Sequence, residues 1–177
     1  MPDYPFDSTA SLAARDIAAA WERELPGVPT ASIEVVTPLW RAAKLLADER
    51  RRTLAHLGVD GATLDLLSTL RRAGDPWTLT TRELAAQTLV TAGAVSQRVA
   101  RAERDGLVTR TGSDAGRRAV AVSLTARGHE VVERVVRELL AHEQGLLGDL
   151  AEDDRHRLGD LLTRLLDSLR AREGHTG

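Results

Sequence analysis

Apolar residues recur at helical spacing along most of this chain, and turns interrupt the pattern where glycine and proline occur together. The pattern predicts a first helix that is capped by Asp7 and Ser8 and ends before Pro26. A long second helix is predicted over about 30–57, and Pro38 is expected to kink this helix or to mark its start. The amino-terminal third of the chain is therefore predicted to be helical.

The carboxy-terminal part of the chain has the same helical pattern. Thr125 is predicted to cap a long helix, and Gly148 separates that helix from a final one. The inward apolar stripes of the two helices comprise Val132, Val135, Val136, Leu139, Leu140, Leu146 and Leu147, then Leu158, Leu161, Leu162, Leu165, Leu166 and Leu169. Because these stripes exceed what a small domain can cover, and closed two-fold dimers are the commonest oligomers, we expect a homodimer.

Between residues 60 and 125 the pattern changes every few residues. Asp60 is predicted to cap a third helix. Thr80 and Glu83 have the spacing of a capping box at the start of a short fourth helix, and Thr91 is predicted to cap the helix after it. Strands are predicted at 77–79, 107–110 and 120–124. This order predicts a mainly α fold with a small β-wing, which is a winged helix-turn-helix.

The helix that follows Thr91 has two faces of different chemistry. At about 100° per residue, Val95, Val99 and Ala102 fall together and face the core. The outward side carries small residues, one amide and arginines, namely Gly93, Gln97, Ala100, Arg101 and Arg104, with Ser96 and Arg98 on the flanks. Such a face suits a major groove, because small residues allow close approach and Gln and Arg can bond base edges. For an isolated helix, a merely solvated face is the alternative interpretation.

The predicted hairpin adds positive charge beside this helix. Its tip contains Gly112, Gly116, Arg117 and Arg118. The whole chain has a net charge of −2, but residues 91–118 carry six basic and three acidic side chains, which is a local charge of +3. A local basic patch is the electrostatic footprint of phosphate contact, so the pattern favours DNA binding.

These segments resemble the MarR family of winged-helix transcriptional regulators. The family's recognition helix commonly reads SSGAMTNRIDRLEAAGLV, and TAGAVSQRVARAERDGLV at 91–108 follows it. VDGATLDLLSTLRRAG at 59–74 is similar to the family segment LTPAQFDVLATLRRAG. The family's wing ends in Leu-Thr-x-x-Gly, as Leu124 to Gly128 do here, whereas Gly116 replaces the acidic residue that usually precedes the wing arginines.

The resemblance implies a homodimer with two recognition helices in successive major grooves of a pseudo-palindromic operator in double-stranded DNA. Ser96, Gln97 and Arg101 are predicted to contact bases, Arg117 and Arg118 the minor groove or backbone, and Thr81 and Arg82 phosphates. Thr91, Gly93 and Arg98 complete the predicted DNA-contact set.

The chain resembles one branch of the family in particular, the regulators with an extra amino-terminal helix that sense urate, trans-aconitate or similar small anions. Trp21, Asp65 and Arg98 stand at that branch's ligand-binding positions, and Arg110 matches a further arginine of the urate sensors. The resemblance implies a repressor that a small anionic or aromatic ligand releases from DNA. The alternative is structural: Trp21 belongs to the core, and Asp65 pairs with Arg98 to fix two helices.

Composition excludes several other classes of protein. With no cysteine, disulfides, thiol catalysis and thiolate metal sites are ruled out. The five histidines are scattered, so no metal or other cofactor is predicted, and an enzyme is not predicted because no nucleophile–base–acid group or phosphate-binding glycine loop is present. An aromatic content of 3% disfavours RNA binding. No segment resembles a membrane span or a signal peptide, so a cytoplasmic protein is expected.

Three segments are predicted: 1–58, amino-terminal helices for dimerisation and a ligand pocket; 59–124, the winged helix-turn-helix; and 125–177, carboxy-terminal dimerisation helices. The predicted function is sequence-specific DNA binding by a transcriptional regulator. A winged-helix protein–protein adapter without a ligand response is the alternative. Salt separates the two, because a phosphate-contacting regulator loses affinity steeply as salt rises.

Overall fold

The computed structural model describes residues 12–88, 90–112 and 120–173. Its helices are α1 (Ala14–Glu24), α2 (Ile33–His56), α3 (Gly61–Arg72), α4 (Thr81–Thr88), α5 (Ala92–Arg104), α6 (Ala126–Leu146) and α7 (Glu152–Glu173), and a 3₁₀ turn (Thr30–Ser32) precedes α2. Its strands are β1 (Thr78–Thr80), β2 (Val108–Thr111) and β3 (Ala121–Leu124). The prediction of a mainly α fold with a small β-wing is confirmed.

The chain divides into two compact units, residues 1–52 and 53–177, with the division inside α2. In the first unit, Ala13 occupies the N-cap of α1 and no side chain caps this helix. The predicted cap at Asp7 and Ser8 lies outside the described residues. Pro38 lies inside α2 and does not mark its start.

The second unit is built around one hydrophobic core. Asp60 caps α3 by accepting a hydrogen bond from the Thr63 amide at 3.0 Å, which aligns the leucines of α3 with that core. The core combines Leu64, Leu67 and Leu70 of α3, Leu84 of α4, Val95, Val99 and Ala102 of α5, Val122 of β3, and Val132, Val135 and Leu139 of α6. The valines that were predicted to face inward on α5 therefore do so.

The three strands form an antiparallel sheet in which β3 lies between β1 and β2. Val122 is paired with Leu79 on one side and with Arg110 on the other. The hydroxyls of Thr78 and Ser123 hydrogen-bond across the β1–β3 pair at 2.7 Å. The sheet thus joins the amino terminus of α4 to the hairpin that follows α5.

The junction between α5 and α6 is held by hydrogen bonds of the Thr125 side chain and backbone. The Thr125 hydroxyl accepts from the Gly128 amide at 3.0 Å and donates to the Gly106 carbonyl at 2.8 Å. The Thr125 amide donates to the Leu107 carbonyl at 3.1 Å. A Cβ on Gly128 would lie 2.1 Å from that carbonyl oxygen, so this position requires glycine.

The carboxy-terminal helices leave a large apolar surface exposed in the single chain. On α6 the buried apolar side chains are Val132, Val135 and Leu139, whereas Leu140, Leu146 and the C-cap residue Leu147 are exposed in one chain, so their predicted burial depends on the second copy. On α7 the exposed leucines are Leu158, Leu161, Leu162, Leu165, Leu166 and Leu169. Within the described residues, no helix is long and apolar enough to cross a membrane.

Candidate nucleic-acid interface

The two helices that carry the predicted DNA contacts, α4 and α5, are capped at their amino termini by side chains. The Thr80 amide donates to Glu83 Oε2 at 2.7 Å, and the Glu83 amide donates to Thr80 Oγ1 at 3.2 Å, which completes the predicted capping box. The hydrogen bonds that Glu83 Oε2 accepts, first from the Thr80 amide and then from the Thr80 hydroxyl, lower the pKa of Glu83. Thr91 caps α5 by accepting from the Ala94 amide at 3.3 Å.

The outward face of α5 is small and polar, as the sequence predicted. Val95, Val99 and Ala102 bury the opposite face, which fixes the rotation of the helix. Gly93, Ser96, Gln97 and Arg104 are exposed. No atom lies within 4 Å of a Cβ built on Gly93, so the surface is open at this point.

The predicted DNA contacts on α4 precede those on α5 in the sequence. Thr81 is half-buried and Arg82 is exposed at the first turn of α4. Neither Arg82 nor Arg104 forms an ion pair with another side chain in the described ranges, and Arg104 Nε donates to the Ala100 carbonyl at 3.4 Å. Arg117 and Arg118, the predicted wing contacts, lie outside the described residues.

Two other arginines of α5 are engaged by acidic residues of the α3 region. Arg101 Nη2 donates to Asp60 Oδ2, on the N-cap residue of α3. Arg98 Nη1 lies 3.9 Å from Asp65 Oδ2, one turn further along α3. Arg98 and Arg101 therefore both reach from α5 toward α3, and Arg101, which the sequence placed on the outward face, is exposed but also paired with Asp60.

The opposite flank of α5 has its own ion pair with the wing. Arg110 Nε on β2 donates to Glu103 Oε2 at 2.7 Å. This hydrogen bond is the main cause of the lowered pKa of Glu103 and of the raised pKa of Arg110. The side chains are 43% exposed for Arg110 and 33% exposed for Glu103, so this partly solvated pair holds β2 against α5 with only a small contribution to stability.

These ion pairs reduce the net positive charge of the predicted basic patch. Arg98, Arg101 and Arg110 each have a carboxylate partner, and two of the three partners, Asp60 and Asp65, lie outside the 91–118 segment. The local charge of +3 is therefore offset by residues that a count along the sequence assigns elsewhere. The sequence identified Asp60 only as a helix cap, since nothing local indicates a partner 41 residues away.

The predicted ligand-binding residues are divided between the two units. Trp21 lies in the first unit and is 40% exposed. Asp65 and Arg98 lie together in the second unit. Arg110 pairs with Glu103 on the other flank of α5, so the structure does not bring it to the Asp65–Arg98 pair. No group of three or more metal-ligating side chains occurs within the ranges that the structure describes.

Comparisons with known proteins agree with this geometry. A model of the MarR family matches residues 57–119. The HTH-type transcriptional regulator PecS of Dickeya dadantii (strain 3937) is 26% identical over 154 residues, which is 87% of this chain and 93% of that protein.

Solved structures show the same likeness. Sco5413, a MarR family transcriptional regulator from Streptomyces coelicolor, superposes with a TM-score of 0.64 at 25% identity, covering 82% of this chain and 98% of that one. NadR, solved in complex with 4-hydroxyphenylacetate, superposes with a TM-score of 0.56 at 25% identity, covering 73% of this chain and 89% of that one.

Proposed function

Because the chain belongs to the MarR family of winged-helix transcriptional regulators, we propose that it represses transcription by binding a pseudo-palindromic operator as a homodimer. The observation that carries the proposal is the open face of α5. This face is capped by Thr91, anchored by Val95 and Val99, and presents Gly93 and Gln97 to solvent. A helix of this kind can enter a major groove, where Gln bonds the edge of adenine. The protein is not proposed to be an enzyme.

The exposed leucines of α6 and α7 support the dimer. Six leucines of α7 recur at helical spacing, and each is more than a third exposed in the single chain. Monomeric proteins rarely leave an apolar stripe of this length in water. A second copy covers it and presents two recognition helices, whose centres must lie about 34–36 Å apart to enter successive major grooves.

The proposed contacts follow the chemistry of each exposed group. Gln97 and Ser96 contact base edges, and Gly93 lets the backbone of α5 approach the duplex. Arg82 and Arg104, which have no carboxylate partner among the described residues, contact phosphates. Arg101 reaches the bases from the flank of α5. Thr81, Thr91 and Arg98, and the wing residues Arg117 and Arg118, complete the proposed set.

A small anion is proposed to act at the Asp65–Arg98 pair. The two charged groups are 3.9 Å apart, so a ligand carboxylate or enolate can replace Asp65 as the partner of Arg98. NadR binds an aromatic carboxylate of this class. Because Arg98 is on α5 itself, an anion that moves this side chain also disturbs the helix that contacts DNA, and release follows if the ligand prefers the disturbed geometry.

DNA binding is tested by selecting duplexes from a random-sequence library and measuring their affinity at 50–200 mM salt. The proposal expects a two-fold symmetric footprint and an affinity that falls steeply with salt, by about 10³-fold or more for six phosphate contacts. Arg104→Ala should reduce the salt slope by about 1. Arg164→Ala in α7 is the matched control, and its slope should equal that of the wild type. Failure to select any sequence would refute the proposal.

The adapter hypothesis has one observation in its favour, because carboxylates of the same chain pair with two arginines of the proposed interface, Arg98 and Arg101. It expects no salt-dependent binding to any duplex, so the same titration separates the two functions.

The ligand proposal is tested on the DNA complex with aromatic carboxylates, including 4-hydroxyphenylacetate. Release of the wild type and no release of Arg98→Ala support it. Equal release of both proteins would contradict it.

Trp21→Ala is expected to keep its DNA affinity but no longer to be released from DNA by the ligand, and normal release would assign Trp21 to the core.

A further inference from the structure

We propose that Asp60 determines the sequence specificity of DNA binding by positioning Arg101, an inference that rests on the function proposed above. Asp60 contacts no duplex in this proposal. It fixes the guanidinium of Arg101 at the edge of the recognition face, so that Arg101 binds well only where the base sequence matches that position. Asp60, at the start of α3, thus influences how α5 discriminates between DNA sequences.

The carboxylate of Asp60 is itself held in place by hydrogen bonds, which distinguishes it from the carboxylate of an ordinary surface ion pair. Its Oδ1 accepts from the Thr63 amide at 3.0 Å, and its Oδ2 accepts from the Thr63 hydroxyl at 3.0 Å. Both bonds fix the carboxylate to the first turn of α3, and α3 packs into the core through Leu64 and Leu67. Of the two partners, Arg101 has the long side chain, so it is the one whose conformation the pair selects.

The pair leaves most of the Arg101 guanidinium available. Arg101 uses Nη2 for Asp60, and 54% of its side-chain surface is exposed. A guanidinium has five N–H donors, so a bidentate set remains for a guanine edge. Ordering an arginine on binding costs conformational entropy, and a side chain that is already ordered avoids that cost only where the DNA matches its position.

The charge of the same carboxylate has a second effect, which does not depend on base sequence. Non-specific binding depends on phosphate charge, and a fixed anion beside α5 opposes it whatever the base sequence. Arg104 and Arg82, which have no carboxylate partner within the described part of the chain, are left to provide that attraction. The charge of Asp60 therefore lowers both affinities by a similar factor, and only the positioning of Arg101 changes the ratio of specific to non-specific affinity.

The test is Asp60→Asn in the full-length protein, measured against the duplex that the wild type selects and against a scrambled duplex of the same composition. Asparagine caps helices as well as aspartate, so α3 is expected to keep its start and the melting temperature to stay close to that of the wild type. Loss of the charge should strengthen both affinities by a similar factor, whereas loss of the ordered Arg101 should weaken only the specific affinity, so that the ratio falls about three- to tenfold. An unchanged ratio overturns the inference.

Asp105→Asn is the matched control, because it removes one carboxylate at the C-cap of α5, where no ion pair with another side chain occurs among the described residues. It should strengthen both affinities by the same small factor and leave their ratio unchanged. An equal fall of the ratio in this variant means that charge alone is responsible and overturns the role of Asp60.

A double-mutant cycle shows whether Asp60 acts through Arg101. In an Arg101→Ala background, Asp60→Asn should leave the ratio unchanged, and a further fall overturns the inference.

A readout without DNA is the ¹⁵N order parameter of Arg101 Nε, which should decrease in Asp60→Asn while that of Arg104 does not. If the wild type selects no sequence at all, the proposed function fails first. If it selects one and the ratio is insensitive to Asp60, only this inference fails.

Discussion

Substituting Gly128 by alanine should destabilise the protein strongly, although alanine is the better helix former. Gly128 lies in the first turn of α6, where the helix passes over the carbonyl of Leu107. A Cβ at this position would lie 2.1 Å from the Leu107 oxygen and 3.2 Å from Leu124 Cδ2. The obstructing atom belongs to the backbone, so no side-chain rotation relieves the clash, and the two segments must separate by about 1 Å to restore an ordinary contact.

The cost follows from what holds the carbonyl in place. Leu107 is buried, its amide donates to the Ala102 carbonyl at 2.9 Å, and its own carbonyl accepts from Thr125. Overpacking of a core costs about 1–3 kcal/mol, and loss of one buried hydrogen bond about 1 kcal/mol. We therefore expect a loss of about 2–4 kcal/mol, which lowers the melting temperature by about 10 °C in a chain of this size.

The assay is urea unfolding followed by circular dichroism, at one fixed protein concentration because the stability of a dimer depends on it. Gly145→Ala is the matched control in the same helix, since a Cβ there meets no atom within 4 Å. That variant should gain about 0.5–1 kcal/mol. Equal stability changes in the two variants, or a stabilised Gly128→Ala, would refute the close approach of α6 to Leu107.

Three further predictions concern the helix caps, the wing and the apolar face. Thr91→Ala should destabilise α5 by about 1 kcal/mol in urea unfolding, and Thr91→Ser should restore the loss. Because Arg110 lowers the pKa of Glu103, their pair stabilises the fold above pH 4.5 and its contribution is lost as pH falls through the lowered pKa. Glu103→Gln should thus be less stable than the wild type at pH 7, and the difference should shrink as pH falls below 4.5, so a difference that is constant with pH would contradict the pair. Leu161→Glu should give a monomer in analytical ultracentrifugation, whereas Asp160→Lys should remain a dimer, and a dimeric Leu161→Glu would move the interface away from α7.

The sequence predicted the parts of the fold that depend on neighbours within one helical turn. Asp60 with Thr63, Thr80 with Glu83, Thr91 with Ala94 and Thr125 with Gly128 are all separated by three residues, and each forms the predicted cap. The spacing of a cap is set by the geometry of the first helical turn, so it is visible in the sequence. The start of α1 was missed because Ala13, at its N-cap, has no capping side chain.

Contacts between elements that are distant in the chain were decided by tertiary structure alone. Asp60 and Arg101 are 41 residues apart, and Arg71 and Glu133 are 62 apart, so no periodicity relates them. Packing of α3 against α5 sets which carboxylate meets which arginine. For this reason the outward face of α5 was predicted correctly and the Asp65–Arg98 pair was named only as an alternative, while the Asp60–Arg101 pair was not predicted.

The sequence by itself determined the helices, the hairpin and the apolar stripe of each element, because local hydrogen bonding and side-chain periodicity are properties of short segments. Only the tertiary structure decided which stripes are covered within one chain and which charges are neutralised. Val132 and Leu161 both belong to regular stripes, yet Val132 is buried and Leu161 is exposed. Burial depends on what packs opposite a side chain, and that partner lies far away in the sequence or on another molecule.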